Sequence, residues 1–124
     1  MTRIIIFDVD STLLSVESLD FAVARALASQ PGGKARAEEL AAITDKGMAG
    51  ALDFRQSLEQ RIAIAGLTRE DIMPASVALT ELITPGMFEL TGALREKGHG
   101  VFAVSGGFLE LLGPALATLG FMPG

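Results

Sequence analysis

An α/β fold built on a parallel sheet, with a helical subdomain inserted into it, is what this sequence predicts, on three observations. Two short runs, RIIIFDV at 3–9 and GVFAVSGG at 100–107, carry apolar residues on both faces, the pattern of buried parallel strands. A helical crossover between two such strands implies parallel pairing and a right-handed connection. The helical pattern over about 17–83 is too long for a simple crossover, so it reads as a subdomain lying over the strands' C-terminal ends. That is where open α/β sheets hold their ligands.

Each element has a local reason. The first strand ends in Asp8 and Asp10, and the sequence then turns helical and Ala-rich from Glu17 to about Ser29, stopped by QPGG at 30–33. A second helix over about 34–46 sets charges against Leu40, Ala41 and Ile43. A third over about 53–65 repeats Phe54, Leu58, Ile62 and Ala65 at helical spacing. Thr68 with Asp71 reads as the N-cap and first-turn acid of a fourth helix reaching about Leu82, with Pro74 near its start. Thr84-Pro85 reads as an N-cap followed by Pro at the first helical position, and that helix closes with Lys97 and Gly98. After the second strand, a last helix runs from about Phe108 to Leu119 and stops at Gly120. His99, between two glycines, reads as a loop residue without a role.

The bulk properties set bounds. A chain of 124 residues is one domain's length, and such chains bury about two-thirds of their unfolded surface. Apolar residues make up 49% without any run near the ~20 residues a bilayer span needs. The start, MTRIIIFD, reads as a first strand and not a signal peptide. The absence of Cys excludes disulfides and thiolate metal sites and agrees with a cytoplasmic location. A net charge of −5 argues against nucleic acid as a partner.

The residues able to do chemistry stand at the two strand ends. Asp8 and Asp10 leave the first strand on one face, since i and i+2 share a face. Two carboxylates so placed can hold one Mg²⁺, or one can attack while the other shuttles protons. Asp10-Ser11-Thr12 reads equally well as a turn and helix cap. Ser105-Gly106-Gly107 leaves the second strand, and a hydroxyl with successive N–H groups before a helix is an anion site. Alone, that triplet is more often a tight turn; both motifs at one sheet edge are a stronger signal.

FDVDST, then Glu17, then GMAGALDFRQSLEQRI at 47–62, then VFAVSGGF at 101–108, together resemble the phosphoserine phosphatases of the haloacid dehalogenase-like (HAD) hydrolases. The resemblance runs along the whole chain in order. It implies a partial Rossmann-like sheet, an incomplete HAD core at 1–14 and 85–124, with a helical-bundle cap at 15–84. It implies Asp8 as nucleophile and Mg²⁺ ligand, and Asp10 as general acid/base with its carbonyl also on the metal. Ser105 and Gly106 match the residues holding the transferring phosphate. Glu17 matches the acid that meets the substrate ammonium, Met48 and Phe54 fall on pocket positions, and Arg61 matches the arginine that pairs with the substrate carboxylate. The implied reaction is Mg²⁺-dependent removal of phosphate from L-phosphoserine. On the residues alone, Arg61 reads as a solvated helix charge, Glu17 as a first-turn acid, and Met48 and Phe54 as core.

The family pattern continues with a lysine and a later acidic segment. Here no residue after Ser105 is basic and the only acid is Glu110, while Lys34, Lys46 and Lys97 lie outside the motifs. The chain therefore resembles the N-terminal half of a phosphatase. The expectations are weak or absent activity and association through an open sheet edge, with itself or with a complementing C-terminal chain. Two other functions fit the same residues. One is a non-catalytic module that binds an amino acid or phosphate, or serves in assembly. The other is a phosphatase or phosphotransferase for another small phosphomonoester.

Overall fold

The structure is a computed structural model that describes residues 1–28, 30–48 and 54–122, with the side chains at 43–48, 54, 57, 58, 64 and 65 outside the description. Its sheet has two parallel strands, β1 (Ile4–Asp8) and β2 (Gly100–Val104), paired from Ile4 opposite Gly100 to Asp8 opposite Val104. Between them run α1 (Ser18–Ala28), α2 (Gly33–Met48), α3 (Phe54–Ala65), α4 (Arg69–Leu79) and α5 (Met87–Glu96), and α6 (Leu109–Thr118) follows β2. This is the expected α/β architecture of a small parallel sheet among many helices. Among the described residues no helix is long and apolar enough to cross a membrane.

The core explains why these elements meet. Val9, Leu13 and Leu14, just past β1, are buried with Ala22 of α1, Ala75 and Leu79 of α4, and Leu111, Leu112 and Ala115 of α6. Helical spacing within each of those segments puts the apolar stripe on one face. A second, smaller cluster joins Val23 and Leu27 of α1 to Leu40 of α2. Burial of α1 on both sides fixes the helix that carries Asp20 and starts directly after Glu17.

Three expectations are corrected. The strands are not covered on both faces: Ile4, Ile6, Phe102 and Val104 are 73%, 63%, 53% and 60% exposed, so one face of the sheet is open. Their partners on the other face, Phe7 and Ala103, pack on the core. Apolar residues on both faces forecast cover on both faces, but the described elements pack on one. Thr84 and Pro85 do not start the fifth helix. Thr84 Oγ1 instead donates to the Thr12 carbonyl at 2.6 Å and its N–H to the Leu13 carbonyl at 2.8 Å, so the helix begins two residues later behind Gly86, whose φ is +88°. Val9 also leaves β1, because the chain turns sharply there to bury its side chain.

The ends of the helical stretch are fastened together. Leu14 bridges Ile83 in antiparallel fashion, and Ser15 N–H and Oγ both donate to the Leu82 carbonyl. Thr68 caps α4 with its first-turn acid as expected, its N–H and Oγ1 both donating to Asp71 Oδ2, and the helix runs through Pro74 into a single 3-10 turn, Thr80–Leu82. Gly98 and Gly120, at φ +83° and +81°, stop α5 and α6 where the sequence places them. His99 does more than occupy a loop: its Nδ1 accepts the Arg3 N–H at 3.0 Å, beside the first rung of the sheet.

Candidate active site

The site begins with the turn that follows β1. Asp8 ends the strand exposed, Val9 buries itself as an anchor, and Asp10 emerges half-buried. Ser11 then adopts a left-handed φ of +57°, a conformation that costs a non-glycine residue on the order of 1 kcal/mol. Its neighbours hold it there: Ser11 N–H donates to the Val16 carbonyl at 3.0 Å, and Ser11 Oγ donates to Glu17 Oε1 at 2.9 Å. The fold-back brings the start of α1 beneath the strand end. Ser18 N–H, buried in the first turn of α1, donates to Asp10 Oδ1 at 2.9 Å. Asp10 thereby satisfies one free N–H of that helix.

The second wall comes from the loop after β2. Register places Val104 opposite Asp8, so Ser105 leaves the sheet at the same edge. Gly107 N–H donates to Ser105 Oγ at 2.9 Å, which leaves the hydroxyl proton free to donate elsewhere. A β-carbon on Gly107 would sit 3.1 Å from Leu112 Cδ1 and 3.2 Å from Ser105 Oγ, tight enough that one of these neighbours would have to shift. The third wall is α3, where Arg61 Nη1 donates to Asp20 Oδ1 at 2.9 Å. Arg61 Nε is buried with no partner.

These pieces enclose a cavity of about 130 Å³ lined by Asp8, Asp10, Glu17, Asp20, Arg61, Ser105, Gly106 and Gly107, among others. Six of the residues singled out from sequence therefore meet in one place. The side chains of Met48 and Phe54 lie outside the described residues. Gly107 belongs to the triplet already read as an anion site, while Asp20 and Ser18 were missed. Asp20 stands three residues after Glu17 on one helix, a spacing that shares a face, and this was the signal available for it.

The lining sets four carboxylates against one guanidinium, so an anionic ligand needs a cation brought with it. Asp8 and Asp10 fit Mg²⁺ by the chemistry of their donors, hard oxygens two residues apart: the Asp8 carboxylate and the Asp10 backbone carbonyl could hold the ion, which leaves Asp10 Oδ2 for proton transfer once Oδ1 has met Ser18. Among the described residues no three or more His, Cys, Asp or Glu gather around a metal position. A cation here would fill its shell from water and a bound phosphate, which is how Mg²⁺ commonly binds.

The family model of the haloacid dehalogenase-like hydrolases matches residues 5–122. The chain belongs to this family. A phosphoserine phosphatase of Mus musculus is 34% identical to it over 113 residues, covering 91% of this chain and 47% of the mouse protein. The solved structure of a phosphoserine phosphohydrolase-like protein from Francisella tularensis superposes with a TM-score of 0.79 at 37% identity, over 98% of this chain and 55% of that one. A phospho-aspartyl intermediate analogue of phosphoserine phosphatase superposes with a TM-score of 0.73 at 32% identity, over 96% and 53%. This HAD-family chain thus spans about half the length of these three relatives.

Proposed function

We propose that the chain carries the phosphate-transfer half-site of an Mg²⁺-dependent phosphomonoester hydrolase acting on L-phosphoserine. The observation that carries this reading is the meeting of Asp8, Asp10, Ser105 and Arg61 around one cavity at the C-terminal edge of a parallel sheet. Names of relatives support the substrate, and the phospho-aspartyl analogue among them supports the route.

In this reading, a carboxylate oxygen of Asp8 bonds to phosphorus as the bond to the serine oxygen breaks. Asp10 gives its proton to the departing alkoxide and L-serine leaves. Asp10 then takes a proton from water, whose oxygen attacks the aspartyl-phosphate, freeing phosphate and restoring Asp8. Ser105 Oγ–H and the N–H groups of Gly106 and Gly107 hold phosphate oxygens; Gly107 N–H gives up its bond to Ser105 to do so. Glu17, fixed by Ser11, meets the ammonium, and Arg61 the carboxylate. Mg²⁺ held by Asp8 and Asp10 would offset charge on the phosphate. Residues 1–14 and 85–124 form the core in this proposal, 15–84 the cap, and the enzyme works in the cytoplasm.

Among the described residues Arg61 is the one cation lining the cavity, so a bound Mg²⁺ would supply most of the neutralisation as Asp8 approaches phosphate. The uncovered Ile4, Ile6, Phe102 and Val104 support packing against further polypeptide, from a complementing chain or a second copy. The experiment is phosphate release from L-phosphoserine with Mg²⁺, by the chain and by its Asp8→Asn variant. Release that vanishes in the variant, and on adding EDTA, is the expected result. Equal background release by both proteins would overturn the catalytic reading.

A further inference from the structure

The ion pair between Asp20 and Arg61 stands at a boundary. Both residues line the acidic cavity, and both also line a second cavity of about 240 Å³ walled by Val23, Leu27 and Leu40. The pair partitions the two. Arg61 is largely buried at 16% side-chain exposure, and Asp20 is half exposed at 54%. An ion pair with so open a partner contributes little to stability. A fourth carboxylate also works against an anionic ligand unless its charge is engaged.

The geometry of the guanidinium supplies another use for it. A guanidinium has five donors in a fixed fork, and a planar carboxylate fills one edge of that fork with two parallel bonds. Asp20 occupies Nη1 at 2.9 Å, whereas Nε is buried and unpaired. A buried donor without an acceptor is costly. The edge that includes Nε is therefore the one suited to an incoming carboxylate.

We propose that Asp20 is a positioning residue for Arg61: it holds Nη1 at the cavity wall so that the Nε edge receives the carboxylate of an amino-acid phosphate. This rests on reading the cavity as a phosphomonoester site, and adds how carboxylate-bearing substrates are chosen there. Asp20 makes no contact with the ligand and acts through Arg61 alone.

The test is calorimetric titration of the 124-residue chain with Mg²⁺ and two ligands, L-phosphoserine and O-phosphoethanolamine, which share phosphate and ammonium and differ in the carboxylate. The unaltered chain is expected to prefer L-phosphoserine. Asp20→Ala is expected to weaken L-phosphoserine binding by about tenfold, as the loss of one charge-assisted contact would, and to leave O-phosphoethanolamine unchanged. Asp20→Asn keeps the Oδ1 acceptor and should restore most of the affinity, and in an Arg61→Ala background Asp20→Ala should add nothing. Thermal melts of each variant establish that it folds; if the alanine variant does not, the asparagine variant and the ligand comparison decide. Equal loss for both ligands, no loss for either, or a loss that persists without Arg61 would overturn the proposal and leave the phosphate site standing. So would an unaltered chain with no preference between the ligands. Binding of neither ligand would remove the underlying reading as well.

Discussion

Gly107 shows how narrowly single atoms define this site. A methyl group there would press on Leu112 Cδ1 at 3.1 Å and Ser105 Oγ at 3.2 Å, and Leu112 is a core residue with little freedom to move. Gly107→Ala should lower the unfolding free energy by about 1 kcal/mol, the low end of overpacking costs, as read by urea denaturation. It should also weaken phosphate binding in the presence of Mg²⁺, because the displaced Ser105 is the proposed phosphate donor; unchanged binding would count against that role. Asp8, Asp10 and Ser105 were legible in sequence because each belongs to a motif of adjacent residues at a strand end. Asp20 was not. Its partner, Arg61, lies 41 positions away, and each alone looks like an ordinary helix charge. Only the packing of α3 on α1 makes them a pair.

At the scale of elements, sequence pattern located the six α-helices and both strands of the described residues, since helical spacing and strand composition are local properties. It failed where a side chain had a distant partner to satisfy. Thr84 followed by Pro85 satisfies the local rules for a helix start, yet Thr84 Oγ1 donates to the Thr12 carbonyl across 72 positions of sequence. That bond joins the two ends of the helical stretch beside the Leu14–Ile83 bridge, close to the turn that sets Asp8 and Asp10. Thr84→Val keeps the shape and removes the donor, leaving the Thr12 carbonyl short of a partner. The expected cost is about 1 kcal/mol of stability. If the bond also steadies the turn, phosphate release should fall by more than the change in folded fraction explains, and a variant with normal release at full folding would show the turn to be independent of it.

For the molecule as a whole, the decisive feature is a sheet with one covered face and one bare one. Two strands alone are marginal, and these persist because Phe7 and Ala103 pack on the core and α5 lies against β2. The other face sets Ile4, Ile6, Phe102 and Val104 side by side, Ile6 directly opposite Phe102, with a ring carbon of Phe102 close over Gly100. Contiguous exposed apolar patches on soluble chains mark interaction surfaces or association hazards. Strands apolar on both faces were readable as such from sequence, but among the described residues only one face is covered. Light scattering should therefore find concentration-dependent association. The double variant Ile6→Lys, Phe102→Glu should suppress it while changing stability little, since 63% and 53% exposed side chains contribute modestly to the chain's own core. A monomer at millimolar concentration before any substitution would mean that the bare face is tolerated and that its apolar residues do not drive association.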